Sequence, residues 1–298
     1  MCPACANFGL IGWPLEHSLS PCIHQAALKE MGICGKYCLF AIQPDENHTQ
    51  AILDLLEHVR NETGLQGLNV TLPYKQSVLP LLDRLTPAAL RIGAVNTIYM
   101  EDGLLMGDNT DAAGFLNDLQ HLHLAARAPA LVLGAGGSAR AVVFSLLQNG
   151  HAVTVAARQP EKARTLADSF AEIAAKPIRV LPLEAQYLAR AGEDTGLLVN
   201  TTPLGMNPYT ETCPWPDRLP LPPQAAIYDL VYNPPETRLM QRARQSGLPA
   251  RGGLGMLVEQ AALAFERWTG RPAPRAVMQQ AAQNAFQPAV RVSTQRTD

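Results

Sequence analysis

One glycine-rich turn limits the folds open to this chain more than any other feature. The segment GAGGSA at 134–139 follows the apolar run ALVL and precedes an amphipathic stretch, RAVVFSLLQ. An apolar strand, a GxGxxA turn and a helix in this order are typical of a dinucleotide-binding βαβ unit, whose helix N-terminus points free N–H groups at a pyrophosphate. The flanking strand and helix favour this interpretation over a glycine turn without a ligand. Cofactor contacts are therefore predicted along the whole turn, at Gly134, Ala135, Gly136, Gly137, Ser138 and Ala139.

The residue that follows the second strand of this unit indicates which dinucleotide is bound. An NAD enzyme usually places Asp or Glu there to bind the ribose hydroxyls. This chain has Arg158 after VTVAA, and a guanidinium matches a 2′-phosphate instead. NADP is therefore favoured over NAD. Lys162 and Arg164 follow closely, but a solvated helix face explains them at least as well.

Length and charge narrow the class of protein further. A chain of 298 residues, 47% of them hydrophobic, exceeds the usual size of one core, so two domains are expected. The 24 basic and 26 acidic residues are mixed along the sequence and supply no basic surface for nucleic acid. No apolar run reaches the roughly 18 residues that span a bilayer, and the N-terminus lacks a secretory signal. We therefore expect a cytoplasmic protein without nucleic-acid or membrane partners.

The six cysteines form neither a disulfide framework nor a complete set of zinc ligands. Cys2 and Cys5 form a CxxC, but no second pair with that spacing follows, and Cys34 and Cys38 form a CxxxC inside an apparent strand. Reduced thiols and no metal site are the expectation.

Strand-like and helical patterns alternate along the chain, which predicts an α/β fold with mostly parallel sheets. Before the glycine turn, the patterns predict strands at 8–12, 36–42 and 67–70, helices at 21–32 and 49–61, a helical stretch that leads up to residue 92, and a hairpin turning at 101–103. After it, they predict strands at 178–182, 197–200 and 226–231, with a proline-rich loop at 208–223. The helical stretch from about 254 to 286 is too short to fold alone and should pack on the first domain.

Four polar clusters in the first part of the chain have no simple structural explanation as a group. They are WPLEHSLSP (13–21), NVTLPYK (69–75), GAVNT (93–97) and GDNTD (107–111). Taken singly, each has one: Ser18 and Ser20 could cap a helix, Asp111 could be an N-cap, Asn96 could be a turn residue and Lys75 could be a solvated lysine. Residue patterns alone leave these alternatives open.

Taken in order, the four clusters resemble the motifs of the shikimate and quinate dehydrogenase family. Three later segments resemble that family too: NTTPLGM (200–206), YDLVYNPPET (228–237) and GGLGMLVEQA (252–261). The resemblance extends from about Ile11 to Ala262. It implies a discontinuous α/β substrate domain, residues 1–110 and 255–298, and a Rossmann-type NADP domain with a parallel sheet, residues 111–254.

The resemblance also implies roles for individual residues. Lys75 and Asp111 would form the catalytic pair. Hydride transfer to a ketone leaves an alkoxide, which an ammonium can stabilise and protonate while a carboxylate orients that ammonium. The implied substrate contacts are Ser18 and Ser20 for a carboxylate, Thr71, Asn96, Asp111 and Gln260 for ring hydroxyls, and Tyr232. The implied contacts near the nicotinamide are Thr201, Leu230 and Gly253.

The expected activity is NADPH-dependent, reversible reduction of 3-dehydroshikimate to shikimate. The alternatives are a quinate/shikimate dehydrogenase that uses NAD or NADP, a divergent paralogue, and a non-catalytic NADP-sensing protein. Ala157 and Gln159 flank Arg158 where NADP-using members of the family commonly carry Asn and Thr, which weakens the expected preference for NADP. A small-molecule substrate is the expected partner, and a homodimer is left open.

Overall fold

The computed structural model describes residues 6–61 and 64–286, in two six-stranded sheets. The CxxC at Cys2–Cys5 lies outside the described residues. The first part of the chain contains β1 (Ala6–Gly12), α1 (Ser20–Glu30), β2 (Gly35–Ala41), α2 (His48–Arg60), β3 (Gly67–Val70), β4 (Arg84–Leu85), α3 (Pro87–Ile92), β5 (Thr97–Glu101) and β6 (Leu104–Asp108).

The first sheet is mixed, with strand order β2-β1-β3-β5-β6-β4. Strands β1, β2 and β3 are parallel, while β5 is antiparallel to both β3 and β6. The β5–β6 hairpin turns where it is predicted, through Asp102 and Gly103 at φ of 51° and 75°. Two successive positive φ values give the turn the twist that suits a tight hairpin. The expectation of mostly parallel sheets is confirmed, and the exceptions are the two pairings of β5, with β3 and with its hairpin partner β6.

The second part of the chain forms a wholly parallel sheet. Its elements are α4 (Asp111–Leu119), β7 (Ala130–Leu133), α5 (Gly137–Gln148), β8 (Val153–Ala157), α6 (Pro160–Ser169), β9 (Arg179–Pro182), α7 (Ala185–Gly192), β10 (Leu197–Asn200), β11 (Ala226–Asp229), α8 (Arg238–Gln245) and β12 (Ala250–Gly252). The strand order β12-β11-β10-β7-β8-β9 is that of a Rossmann sheet. Alternate residues of β7 enter different cores, Val132 with α5 and Leu131 with α7, so the whole strand is apolar.

Two closing helices, α9 (Leu254–Thr269) and α10 (Arg275–Asn284), return to the first sheet. Val258 and Phe265 of α9 and Met278 of α10 share a core with Phe8 and Ile23. The expectation that the C-terminal helices pack on the first part of the chain is confirmed. They do so because their apolar faces are buried in the core that they share with β1 and α1.

Sequence patterns failed where elements are very short. The stretch before GAVNT was predicted to be helical, but it consists of turns, a 3₁₀ segment at Leu79–Leu81, β4 and α3. Helices α6 to α8 and strand β12 were not predicted individually.

No helix within 6–61 and 64–286 is long and apolar enough to cross a bilayer. The expectation of reduced thiols holds for Cys22, Cys38 and Cys213 but is wrong for Cys34, which is disulfide-bonded; spacing alone does not reveal pairs.

Candidate active site

Strand register brings three of the polar clusters to one edge of the first sheet. Asn69 on β3 pairs with Thr97 on β5, and Thr97 pairs with Asp108 on β6. The segments 69–75, 93–97 and 107–111 therefore meet where β3 ends, β5 begins and β6 ends. Residues far apart in sequence become neighbours because the sheet is mixed at this point.

A lysine–aspartate pair lies at the centre of this edge. The Nζ of Lys75 donates to the Oδ2 of Asp111 at 2.6 Å, and their side chains are only 13% and 5% exposed. Thr110, not Asp111, is the N-cap of α4, so the carboxylate occupies the first turn of the helix, where the helix dipole favours a negative charge. Both simple structural alternatives, a solvated lysine and an N-cap aspartate, are therefore wrong.

The amide of Asn96 fixes the other oxygen of Asp111. Its Nδ2 donates to Asp111 Oδ1 at 2.9 Å and to Gln260 Oε1 at 3.1 Å. Its Oδ1 accepts from the backbone N–H of Thr110 at 2.8 Å and from the hydroxyl of Thr97 at 3.0 Å. With both ends of the amide bonded, its orientation is determined. Asp111 thus has one oxygen on the ammonium and the other on a fixed amide donor.

The two serines lie at the start of α1, with Ser20 as its first residue and Leu19 as its N-cap. The hydroxyl of Ser18 accepts a hydrogen bond from the backbone N–H of Ser20 at 3.3 Å. Burial raises the pKa of Tyr232, whose phenol lies close to the backbone of Leu19 and to Cys22. Tyr232 belongs to the loop after β11, so residues from the two halves of the chain meet here. Thr71, just past β3, packs its methyl group against Gly12 at the end of β1.

The glycine turn has the shape that a pyrophosphate requires. Gly134 has φ of +111°, and a Cβ there would lie 2.5 Å from the hydroxyl of Thr201, which donates to the carbonyl of Leu133 at 2.7 Å. A Cβ on Gly136 would meet no atom of the described residues within 4 Å. Helix α5 starts at Gly137 and points its N-terminus at that open face. The residues present therefore fit a dinucleotide.

The glycine turn also lies against the lysine–aspartate pair. A Cβ on Gly137 would be 3.1 Å from the Cβ of Lys75. Gly253 lies against Leu230, because a Cβ on Gly253 would overlap the carbonyl of Leu230. Arg158 follows β8, the parallel neighbour of β7, and is exposed at the same edge as the turn. The candidate cofactor residues thus surround one edge of the second sheet and meet the candidate catalytic pair.

Sequence reasoning missed several buried polar groups that support the site. Asn69 donates to the carbonyl of Asn96 at 3.0 Å and accepts from the hydroxyl of Tyr37 at 2.8 Å. Asp229 accepts from Thr237 at 2.6 Å and from Asn200 at 2.8 Å, and burial raises its pKa to about 6. These bonds join the loops after β10 and β11. The sequence signal that could have found them was a lone polar residue inside an apolar strand, as in GLNV and AIYD.

Fold and site together define a class of protein. A Rossmann sheet whose glycine turn lies against a buried lysine–aspartate pair, beside a second α/β unit, is the arrangement of a two-domain, dinucleotide-dependent oxidoreductase.

Comparison with known proteins identifies the family. Residues 10–98 match the shikimate dehydrogenase substrate binding domain, and residues 253–283 match the shikimate 5′-dehydrogenase C-terminal domain. A shikimate dehydrogenase (NADP(+)) from Methanopyrus kandleri is 41% identical over 278 residues, which is 92% of this chain and 93% of that protein. The chain belongs to the shikimate dehydrogenase family.

Solved structures agree with this assignment. A shikimate 5-dehydrogenase from Thermus thermophilus, in complex with NADP(H) and shikimate, has a TM-score of 0.82 and 39% identity, covering 94% of this chain and 100% of that one. A quinate dehydrogenase from Corynebacterium glutamicum, in complex with NAD, has a TM-score of 0.83 and 30% identity, covering 94% and 99%. The resemblance of the seven motifs and the predicted fold class are confirmed.

Proposed function

We propose that the protein catalyses the reversible, NADP-dependent interconversion of 3-dehydroshikimate and shikimate. One observation carries the proposal: the buried contact of 2.6 Å between Lys75 and Asp111, against which Gly137 of the dinucleotide turn is packed. This contact supports a proton donor close to a bound dinucleotide.

In the reduction, Lys75 supplies the proton and Asp111 keeps it in position. NADPH, when bound, supplies a hydride to the ring carbonyl carbon. The carbonyl π electrons move to oxygen, which takes a proton from the ammonium of Lys75 as the new C–H bond forms. Asp111 remains a carboxylate that orients the ammonium. The reverse reaction returns the proton to the lysine.

The remaining site residues orient the substrate. Ser18 and Ser20 would offer two hydroxyl donors to its carboxylate, and Tyr232, which lies near Leu19, would contact the same end. Thr71, Asn96, Asp111 and Gln260 would bind the ring hydroxyls at the other end. Hydroxyl and amide groups give directional bonds, so a ring with one arrangement of hydroxyls is favoured over others.

Arg158 supports NADP as the cofactor, since its exposed guanidinium stands after β8, where a ribose 2′-phosphate would lie. Thr201, Leu230 and Gly253 belong to the loops that would face the nicotinamide half. Names of relatives agree, because the Methanopyrus protein is called a shikimate dehydrogenase (NADP(+)).

We also propose the domain division 1–110 with 255–298, and 111–254. Packing of Phe265 and Met278 with Phe8 supports the return of the chain to the first domain. A homodimer stays a prediction, which sedimentation of the purified protein tests.

Steady-state rates with shikimate and quinate, each with NADP⁺ and NAD⁺, test the proposed activity. We expect the highest kcat/KM for shikimate with NADP⁺. The similarity to the quinate dehydrogenase in complex with NAD makes quinate oxidation with NAD⁺ the competing activity. Faster turnover of quinate with NAD⁺ would overturn the proposal.

A further inference from the structure

The first turn of α5 carries an arginine that points away from the dinucleotide turn. Arg140 directly follows the GAGGSA segment, and its Nε donates to the carbonyl of Ile92, the last residue of α3. Its Nη2 donates to the hydroxyl of Ser169 at 3.0 Å, and its guanidinium carbon lies 5.3 Å from the ring centroid of Phe170. One side chain thus bridges from the second sheet's helices to the first half of the chain.

The surroundings of Arg140 are apolar or neutral. Burial lowers the pKa of its guanidinium, and no carboxylate of the described residues forms an ion pair with it. Arg140 is only partly buried, and its polar contacts are a carbonyl and a hydroxyl without a compensating carboxylate, so it is not explained as half of a stabilising ion pair. Gly93 leaves room for this side chain, because a Cβ at Gly93 would lie 2.7 Å from Nη2 of Arg140. Its φ of +66° also favours glycine.

Ile92, whose carbonyl accepts from Arg140, is the first residue of segment 92–96, which contacts both residues of the lysine–aspartate pair. Two residues after Ile92, the carbonyl of Ala94 accepts from Asn109 at 2.9 Å. The N–H of Val95 then donates to the carbonyl of Lys75 at 2.7 Å, and Asn96 bonds to Asp111. Segment 92–96 therefore holds both members of the lysine–aspartate pair.

The first turns of α5 touch this assembly at two further points. Gly137 packs against the side chain of Lys75. Ala141 is buried in a small cluster with Ile92, Ala94 and Ala112. Gly137, Arg140 and Ala141 together set the position of the dinucleotide turn relative to the catalytic pair, and Arg140 is the directional, hydrogen-bonding member of the three.

We infer that Arg140 is a positioning residue for the proposed reaction: it fixes segment 92–96 against the first turn of α5, and with it the separation between the Lys75–Asp111 pair and the dinucleotide turn. The inference rests on the proposed function. It makes Arg140 a determinant of the rate of hydride transfer rather than of affinity for either substrate.

The test compares Arg140→Met, which keeps the apolar stem, with Arg140→Lys, which keeps one charged donor. Ser169→Ala is the matched control, because it removes the partner of Arg140 within the second half of the chain and leaves the carbonyl of Ile92 bonded. We expect Arg140→Met to lower kcat about 10- to 100-fold, as small misplacements of reacting groups do. Both KM values should stay unchanged, and the deuterium isotope effect on kcat should increase. Arg140→Lys should recover part of the loss, and Ser169→Ala should behave as wild type.

Three results would overturn the inference. They are an unchanged kcat in Arg140→Met, a loss confined to the KM for NADP⁺, which would indicate a direct phosphate contact, and an equal loss in Ser169→Ala. Hydrogen exchange supplies a readout without turnover. In Arg140→Met the amides of 92–97 should exchange faster, while those of β10 should not, and equal exchange in the two proteins would also overturn the inference. A wild-type protein inactive on shikimate would sink the proposed function but leave this exchange test intact.

Discussion

The carboxylate of Asp111 divides its two oxygens between different kinds of donor. Oδ2 accepts from the ammonium of Lys75, and Oδ1 accepts from the amide of Asn96. An amide bonded at both ends cannot follow a moving carboxylate, so Asp111 is held in one plane and Lys75 in one direction. The relative orientation of the ammonium and the carboxylate is therefore set by Asn96.

Replacing Lys75 tests this arrangement. We expect Lys75→Ala to lower kcat by about 10²- to 10⁴-fold, the usual contribution of a positioned acid or base. The affinity for NADP⁺, measured by nucleotide fluorescence, should stay the same. Lys29→Ala, on an exposed face of α1, is the control and should be fully active. An active Lys75→Ala protein would remove the lysine from the mechanism.

Individual site residues were predictable only where they stood in motifs. Lys75 and Asp111 are 36 positions apart, and nothing in their spacing indicates contact; the register of β3, β5 and β6 creates it. Family resemblance supplied what spacing did not. Tyr37 was missed because it looks like an ordinary strand residue, while the lone polar Asn69 in GLNV gave a signal but did not indicate its partners.

A buried histidine makes stability depend on pH. His24 is 1% exposed and stacks on Tyr37 at 4.3 Å between ring centroids, and neither ring nitrogen has a partner of hydrogen-bond geometry in the described residues. Burial lowers its pKa from 6.5 to about 3, which a weaker influence of Asn69 only partly offsets. Between these two values the unfolded chain binds a proton that the folded protein does not, so stability falls as pH falls through this range.

Substitution of His24 should remove that dependence. His24→Phe keeps a ring on Tyr37 without a titrating group. Urea unfolding at pH 7.5 and pH 5 should show wild type losing about 2 kcal/mol relative to His24→Phe, since each pH unit below 6.5 contributes about 1.4 kcal/mol. His121→Gln, at an exposed position, should keep the wild-type slope. Parallel curves for wild type and His24→Phe would contradict this account.

At the scale of elements, the crossing of α4 and α9 determines where Asp111 and Gln260 lie. The helices approach so closely at Gly114 that a Cβ there would be 2.8 Å from the backbone nitrogen of Gln260. About one turn further along α4, Asp118 accepts from Tyr228 and from Nε of Arg251, both at 2.7 Å. These bonds fasten α4 to β11 and β12, while the close approach at Gly114 packs α4 against α9.

Gly114→Ala distinguishes helix propensity from packing. Inside an isolated helix this change would add about 1 kcal/mol of stability. Against the backbone of α9 we expect a loss of about 1–3 kcal/mol in the free energy of unfolding, as for other overpacked sites. The KM for shikimate should rise too, because Asp111 and Gln260 move apart. Ala113→Gly, at an exposed neighbouring position, measures propensity alone, and a stabilised Gly114→Ala protein would show that the crossing is loose.

Elements with a clear sequence pattern were predictable even where they are short, and elements whose ends depend on local bonds were not. The sequence GLNV gives β3 its observed bounds, and Asp102-Gly103 gives the hairpin turn. In contrast, α3 has only six residues, from Pro87 to Ile92. The hydroxyl of Thr86 caps its start by accepting from the N–H of Ala89, and the left-handed Gly93 ends it. Neither end depends on hydrophobic periodicity.

At the scale of the whole molecule, contacts between the two halves lie on two sides of the cleft. On one side, the cluster of Ile92, Ala94, Ala112 and Ala141 is fully apolar and buried. On the other side, the phenol of Tyr232 is buried near Leu19 and Cys22. Separating the first contact would expose apolar surface, while separating the second would let water solvate a phenol and a backbone amide. The second contact is therefore the easier one to open.

We accordingly predict that NADP⁺ binding closes the cleft about hinges near residues 111–114 and 252–255. Without cofactor, Tyr232 should move away from Leu19, while Ala141 should stay packed on Ile92, so the motion is a rotation about the apolar cluster. Crystal structures with and without NADP⁺ give the Tyr232–Leu19 and Ala141–Ile92 distances. Solution scattering should show a smaller radius of gyration with NADP⁺ than with the same concentration of NAD⁺. Equal cleft widths, or a broken apolar cluster in the cofactor-free form, would rule out this rotation.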